Sequence, residues 1–142
     1  RKDTMQITRQ ADYAVRAVLY LARLGSGERA ATSTVAEEQR IPPSFLAKII
    51  SQLSIGGLLH TSRGARGGVT LARPPKEISL LDVIEAIDGP IMLNECVGEE
   101  GDCSFDEDCP LRSVWCDAQE VLVKRLKGTN FQQLLERSRV PA

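Results

Sequence analysis

The sequence has no long apolar run and few aromatic residues. Hydrophobic residues make up 42% of its 142 positions, charged residues 26% and aromatic residues 4%. No apolar stretch approaches the roughly 20 residues of a membrane-spanning helix or the apolar region of a secretory signal. So few aromatic side chains also argue against a surface that stacks single-stranded bases. The composition excludes a membrane protein, a secreted disulfide scaffold and a disordered chain, and it predicts one cytoplasmic domain that begins near Met5.

Acidic residues are absent from the middle of the chain, although the whole sequence is nearly neutral. It holds 18 Lys and Arg against 19 Asp and Glu, a formal net charge of -1. Residues 39–76 contain no carboxylate but six basic residues, namely Arg40, Lys48, Arg63, Arg66, Arg73 and Lys76. Residues 95–109 show the reverse, with seven acidic residues and no basic one. This segregation indicates a basic surface for a polyanion and a separate acidic segment, although charge runs often form only solvated faces.

Helical periodicity dominates the chain, and one segment is β-like. The pattern predicts five helices, over 8–24, 34–40, 43–55, 79–88 and 110–128. Short β-like runs over 58–63 and 69–73 surround a tip that is rich in Gly and Arg, which predicts a hairpin. Thr34 with Glu37, and Ser79 with Asp82, match the capping box that opens helices.

The order of these elements is that of a winged helix-turn-helix: two short helices, a tight turn, a third helix with a polar face, and a hairpin. The predicted fold is mainly α with a small β-hairpin wing. We expect a DNA-binding domain over 5–90, a cysteine-bearing, cluster-binding loop over 91–109, and a long dimerisation helix with a C-terminal segment over 110–137. A dimer is expected because the long helix repeats apolar residues at near-heptad spacing, which would leave an exposed seam on one chain. The seam contains Leu111, Val114, Ala118, Val121 and Leu122.

The third helix and the wing fall within the acid-free stretch, so they are the predicted DNA-contacting elements. The start of the third helix is where side chains reach base edges, and the wing tip would pair with phosphate or enter a minor groove. The predicted contacts are Ser44, Phe45, Lys48, Gln52, Arg63 and Arg66. A solvated hairpin is the alternative for the two arginines. Helix-turn-helix pairs also occur in structural bundles, so the helix spacing alone does not predict DNA binding. For His60, at the base of the wing, we expect a surface or packing role.

The CxxC pairs of a structural zinc ribbon are missing, although four cysteines fall close together. Cys96, Cys103, Cys109 and Cys116 are separated by gaps of six, five and six residues. Without an export signal a disulfide framework is not expected, and the spacing suits a loop wrapped around a metal cluster. Cys116 would lie roughly 10 Å along the predicted helix from Cys109, so we expect it to be a buried small apolar residue. There are two alternatives to a cluster in this segment. Its seven carboxylates could bind divalent ions, or it could be a solvated acidic loop whose cysteines have no function.

Four segments of the chain resemble the winged-helix bacterial transcription regulators that include IscR, NsrR, RirA and CymR. The segments are Gln10–Arg16, Ile41–Leu46, Arg63–Gly68 and Asp82–Gly89, and the resemblance runs from Met5 to about Arg137. It implies a homodimer crossed through the long helix, with DNA read by the third helix and the wing.

Many members of that family hold an iron-sulfur cluster, [2Fe-2S] or [4Fe-4S], with three cysteines. The resemblance therefore also implies such a cluster in this chain. Cys96, Cys103 and Cys109 match that trio. IscR-like members place a histidine three residues after the third cysteine, where this chain has Arg112. NsrR-like members instead use an aspartate in the first helix of the other subunit, and Asp12 matches that position.

The predicted function is therefore that of a dimeric, DNA-binding transcription regulator, a repressor and not an enzyme. Its operator affinity would be controlled by an iron-sulfur cluster that senses redox state, nitric oxide or iron. The expected partners are double-stranded operator DNA and a second copy of the chain, with no small-molecule substrate and no membrane. One alternative is a cluster-free DNA-binding regulator that switches through cysteine oxidation or direct metal binding. A more distant alternative is a small redox protein.

Overall fold

Three helices open the chain in the computed structural model, which describes residues 7–25, 27–64, 67–92 and 110–138. α1 spans Arg9–Leu24, α2 spans Thr32–Gln39 and α3 spans Pro43–Ile55. α1 begins after Thr8, whose Oγ1 accepts a hydrogen bond from the Ala11 N–H (3.1 Å). Its buried face is rich in alanine, so neighbouring elements can pack close to its backbone. The buried residues of α1 are Ala11, Ala14, Ala17, Val18, Leu21 and Ala22.

The predicted start of α2 was wrong. The helix begins at Thr32 after Ala31, which has no side-chain capping bond, and Thr34 lies inside the first turn. The reason is tertiary: just before the helix, Ala30 forms an antiparallel bridge with Val69, through N–H to O distances of 3.0 and 2.8 Å. Because this bridge fixes where the chain leaves the sheet, the helix begins directly after it and the capping-box match with Glu37 plays no part.

The wing consists of two antiparallel strands, shorter than predicted. β1 spans Leu59–Ser62 and β2 spans Gly68–Leu71, with Leu59 opposite Leu71 and Ser62 opposite Gly68. A Cβ atom at Gly68 would lie 2.5 Å from the Ala30 carbonyl oxygen. The bridge to Ala30 therefore requires glycine here.

A single turn of 3-10 helix over Pro75–Glu77 leads into α4, which spans Leu80–Asp88. The predicted capping box of α4 is confirmed. Ser79 Oγ accepts a hydrogen bond from the Asp82 N–H, and Asp82 Oδ2 accepts one from the Ser79 N–H, both at 3.0 Å. The helix ends at Gly89, as the sequence predicted.

The C-terminal region contains two helices, α5 over Pro110–Lys127 and α6 over Phe131–Ser138. α5 matches the predicted long helix, whereas α6 was predicted only as a C-terminal segment. A capping pair separates the two helices: Asn130 Oδ1 accepts from the Gln133 N–H and Gln133 Oε1 accepts from the Asn130 N–H, both at 2.9 Å. The sequence signal for α6 was this Asn-x-x-Gln pair.

The core forms where α1 packs against α2, α3, α4, α6 and β2. Phe131 of α6 is fully buried in it, so the end of the chain returns to the winged body. α5 contacts α4 but contains no buried residue. Among the described residues, no helix is long and apolar enough to cross a membrane.

Candidate DNA interface and cluster ligands

Arg40 sets the turn between α2 and α3. It adopts the left-handed conformation (φ 53°, ψ 45°) at the C-terminal end of α2, and among the described residues no other non-glycine has a positive φ. The following residue, Ile41, is buried, and its N–H donates to the Ala36 oxygen at 2.9 Å. Pro42 and Pro43 then begin α3, because proline is tolerated in a first helical turn. This turn defines the helix-turn-helix angle.

α3 has one face in the core and one on the surface. The buried residues are Leu46, Ile49, Ile50 and Leu53. The exposed residues include Ser44, Phe45, Ala47, Lys48 and Ser51. Three of the predicted DNA contacts, Ser44, Phe45 and Lys48, thus lie on the surface of the second helix of the helix-turn-helix. Lys48 carries the only charge on α3, so nothing on this helix repels phosphate.

Gln52 differs from the other predicted contacts on α3. It is half-buried, and its Oε1 atom is buried without a hydrogen-bond partner among the described residues. The side-chain oxygen points away from solvent, so in this arrangement Gln52 cannot present both amide atoms to a base.

The wing carries the two predicted arginines. Arg63 is exposed directly after β1. Arg66 lies outside the described residues. β1 packs against α3, so the wing is attached to the helix that exposes Lys48. His60 is exposed on β1, which agrees with the surface alternative of the expected surface or packing role.

An aromatic contact between α1 and α3 escaped the sequence analysis. The rings of Tyr13 and Phe45 lie 6.4 Å apart between centroids with an interplanar angle of 35°. Phe45 remains 43% exposed at the N-terminal turn of α3. The contact therefore connects the first helix to the exposed helix of the helix-turn-helix. The available signal was an aromatic residue on the polar face of an amphipathic helix.

Asp12 lies in the first turn of α1, next to Tyr13. Its side chain is 50% exposed, and its Oδ2 pairs with Arg16 at 2.7 Å. An exposed ion pair of this kind contributes little, so the carboxylate is free to exchange partners. Just before it, Thr8 Oγ1 donates to Asp88 Oδ1 at 2.7 Å. This bond joins the start of α1 to the end of α4. In the sequence, α4 precedes the predicted cysteine segment.

The three predicted cysteine ligands, Cys96, Cys103 and Cys109, lie outside the described residues. In the ranges that are described, no group of three His, Cys, Asp or Glu side chains is placed to hold a metal. Cys116 has a free thiol on α5 and is half-buried. The expectation of a buried Cys116 was therefore wrong for a single chain, because α5 buries none of its residues.

The order of the helices and the antiparallel hairpin define a class of protein, the winged helix-turn-helix proteins. Solved structures with the same fold include two regulators. CymR, the global cysteine regulator of B. subtilis, has a TM-score of 0.79 at 23% identity, covering 94% of this chain and 98% of that one. IscR of T. potens has a TM-score of 0.76 at 22% identity, covering 96% and 93%.

Sequence relatives identify the family. The model of the Rrf2 family, described as an iron-dependent transcriptional regulator, matches residues 7–137. A Mycobacterium tuberculosis protein named as an HTH-type transcriptional regulator is 45% identical over 112 residues, which cover 78% of this chain and 69% of the relative. Protein aau3 of Rhizobium meliloti is 33% identical over 134 residues, covering 93% and 86%. The chain belongs to the Rrf2 family of transcription regulators. The predicted family and fold class are confirmed, and with this family the chain is a DNA-binding regulator and not an enzyme.

Proposed function

We propose that this protein is a cytoplasmic repressor that binds operator DNA as a homodimer and responds to an iron-sulfur cluster. The observation that carries the DNA-binding part is the exposed face of α3, which presents Lys48 and no carboxylate beside a wing with Arg63. DNA phosphates attract such a surface, and the start of the helix can reach base edges in a major groove.

The dimer is supported by the exposed apolar residues of α5. Leu111, Val114 and Val121 are 57%, 56% and 70% exposed on the single chain. They recur along one helix, so together they form an apolar strip that water solvates poorly. A second copy of the same helix would cover this strip by two-fold symmetry and place two reading heads on a palindromic operator.

The cluster is supported by the chemistry of the available ligands. Three thiolates, from Cys96, Cys103 and Cys109, suit iron, and Asp12 of a partner subunit would complete the set with a harder and weaker ligand. Asp12 is half-exposed, and within the described part of the chain its carboxylate pairs with Arg16 at the surface, so it is accessible to a metal. When bound, the cluster would supply an iron atom that holds α1 through this carboxylate.

The contact between Tyr13 and Phe45 suggests how α1 would influence DNA binding. Asp12 and Tyr13 are adjacent, and the Tyr13 ring packs on Phe45 in the first turn of α3. A shift of α1 would therefore move or release the Phe45 ring at the surface that faces DNA. Two states of this contact with different operator affinities would couple the two sites.

The experiment begins with the anaerobically purified full chain. Its visible absorbance, iron and sulfide contents report the cluster, and selection from a random DNA duplex library provides its operator. We then expect the Lys48→Ala, Arg63→Ala, Arg66→Ala triple variant to bind the enriched duplex about tenfold or more weakly, because one base contact alone is worth roughly 1–3 kcal/mol. The slope of affinity against salt should fall by about one for each lost phosphate contact.

The matched control is Lys127→Ala, which removes one positive charge from the end of α5 and should leave operator affinity within about twofold. A folded triple variant that binds as tightly as the parent would contradict the proposed interface.

A second candidate is regulation by cysteine oxidation without a cluster. Cys116 is half-buried and provides a free thiol on the helix proposed to pair the subunits. CymR of Staphylococcus aureus, solved in an oxidized form, has the same fold (TM-score 0.73, 23% identity). Anaerobic protein without visible absorbance, iron or sulfide, whose operator affinity changes with peroxide and recovers with thiol, would favour this candidate.

A further inference from the structure

The exposed face of α3 is chemically simple. Ser44, Lys48 and Ser51 follow one another at i, i+4 and i+7 and form a line along the helix, opposite the buried residues. Phe45 and Ala47, which are also exposed, lie on either side of this line. The face thus offers one cation, two hydroxyl groups and two apolar side chains.

The chemistry of base edges assigns a partner to each kind of group. Lysine suits the O6 and N7 acceptors of guanine, and serine hydroxyls pair with either a donor or an acceptor. Adenine is read by a bidentate amide, but Gln52, the only amide on α3, has its side-chain oxygen buried. Apolar side chains contact the 5-methyl group of thymine, which projects into the major groove.

We propose that α3 recognises thymine methyl groups through Phe45 and Ala47, on either side of a guanine contacted by Lys48. This inference rests on the proposed function, in which α3 enters the major groove. The Phe45 ring leans on Tyr13, so it is held in place before DNA arrives and loses little rotamer freedom on binding. Ala47 presents one methyl group on a short side chain, which allows the helix backbone to come close to the base edges.

The test uses the duplex that the full chain enriches from a random library. Each thymine of the enriched half-site is replaced in turn by deoxyuridine, which removes the 5-methyl group and leaves base pairing unchanged. We expect the affinity to fall about fourfold at a thymine that α3 contacts, the loss that corresponds to about one buried methyl group. Thymines outside the contact should be insensitive.

Two variants then identify the side chains. For each variant, the affinity for the enriched duplex is divided by the affinity for the duplex in which one thymine is replaced by deoxyuridine. For Ala47→Gly this ratio should approach one at a single position of the half-site. For Phe45→Ala it should approach one at a different position. The ratio is taken within one protein, so any general weakening of α3 cancels. Ser51→Gly is the control, since it also places a glycine in the exposed face of this helix but removes no methyl group; it should preserve both ratios.

Three results would overturn the proposal. The enriched half-site could lack thymine next to guanine, deoxyuridine could have no effect at any position, or both variants could leave the ratios unchanged while the protein still selects one sequence. If the library yields no enriched sequence at all, the proposed function itself fails and this inference fails with it.

Discussion

α3 and α5 are both amphipathic helices with apolar residues at helical spacing, but they differ in how far the folded chain buries these residues. α3 buries four residues in the core, whereas α5 buries none. The apolar face of α3 is covered by α1 and α4 from the same chain, but the apolar strip of α5 is left on the surface. The same sequence pattern thus leads to a core helix in one place and to an exposed apolar strip in another.

The largest effect should come from placing charge on α5. We expect the Val114→Asp, Val121→Asp double variant to be monomeric at micromolar concentration, because two carboxylates would be desolvated in the proposed interface. Its operator affinity should fall about 100-fold or more, since two linked reading heads bind far more tightly than one. Light scattering and fluorescence anisotropy measure the two effects.

Glu120→Gln, a polar change at an exposed position of the same helix, is a control for changes to α5 itself and should leave the mass unchanged. A parent protein that is already monomeric at micromolar concentration would disprove the role given to α5.

The same truncation on the two helices should have unequal effects on stability. In the monomeric background, we expect Leu46→Ala to lower the free energy of unfolding by about 2–5 kcal/mol, because Leu46 is fully buried. Leu111→Ala, on the exposed strip of α5, should change it by about 0.5 kcal/mol or less. Urea denaturation followed by circular dichroism measures both. Equal losses would mean that the α5 strip is already covered within one chain.

The cluster ligands can be separated by comparing Asp12→Ala on α1 with Cys116→Ala on α5. We expect Asp12→Ala to accelerate the anaerobic loss of visible absorbance about tenfold or more, since even supporting groups of metal ligands have effects of this size. Cys116→Ala should retain the parent spectrum. Arg16→Ala is the matched control, because it breaks the same ion pair but preserves the carboxylate. If only Cys116→Ala destroys the cluster, the ligand set is all-cysteine.

The smallest effect should be seen at the contact between α1 and α3. Tyr13→Leu preserves an apolar side chain but removes the ring that packs on Phe45. We expect an unchanged cluster spectrum and an approximately fivefold reduction in the ratio of operator affinities with and without cluster, at the lower end of typical coupling energies. An unchanged ratio would show that coupling takes another route.

Local patterns in the sequence were sufficient for most of the fold. The capping box of Ser79 and Asp82, the two prolines that begin α3, and the glycines after α1 and α4 act through neighbouring backbone groups, so their effects are visible in a short stretch of residues. The acid-free stretch likewise predicted a surface of α3 and the wing without carboxylates, because charge is a property of the residues themselves.

Contacts between distant residues could not be predicted in this way. The bridge between Ala30 and Val69 determined where α2 begins, although a local capping-box match predicted a different start. The ring contact joins α1 to α3 through Tyr13 and Phe45, which are 32 positions apart in the chain. The burial of the Gln52 oxygen was also decided only when the helices packed. The exposed strip of α5, in contrast, agrees with the seam that the sequence predicted. The sequence by itself determined most of the helices, the hairpin and the charge of α3, because these depend on local periodicity and residue type. The tertiary structure alone decided the start of α2, the contact of Tyr13 with Phe45 and the burial of the Gln52 oxygen, because these depend on elements that are distant in sequence.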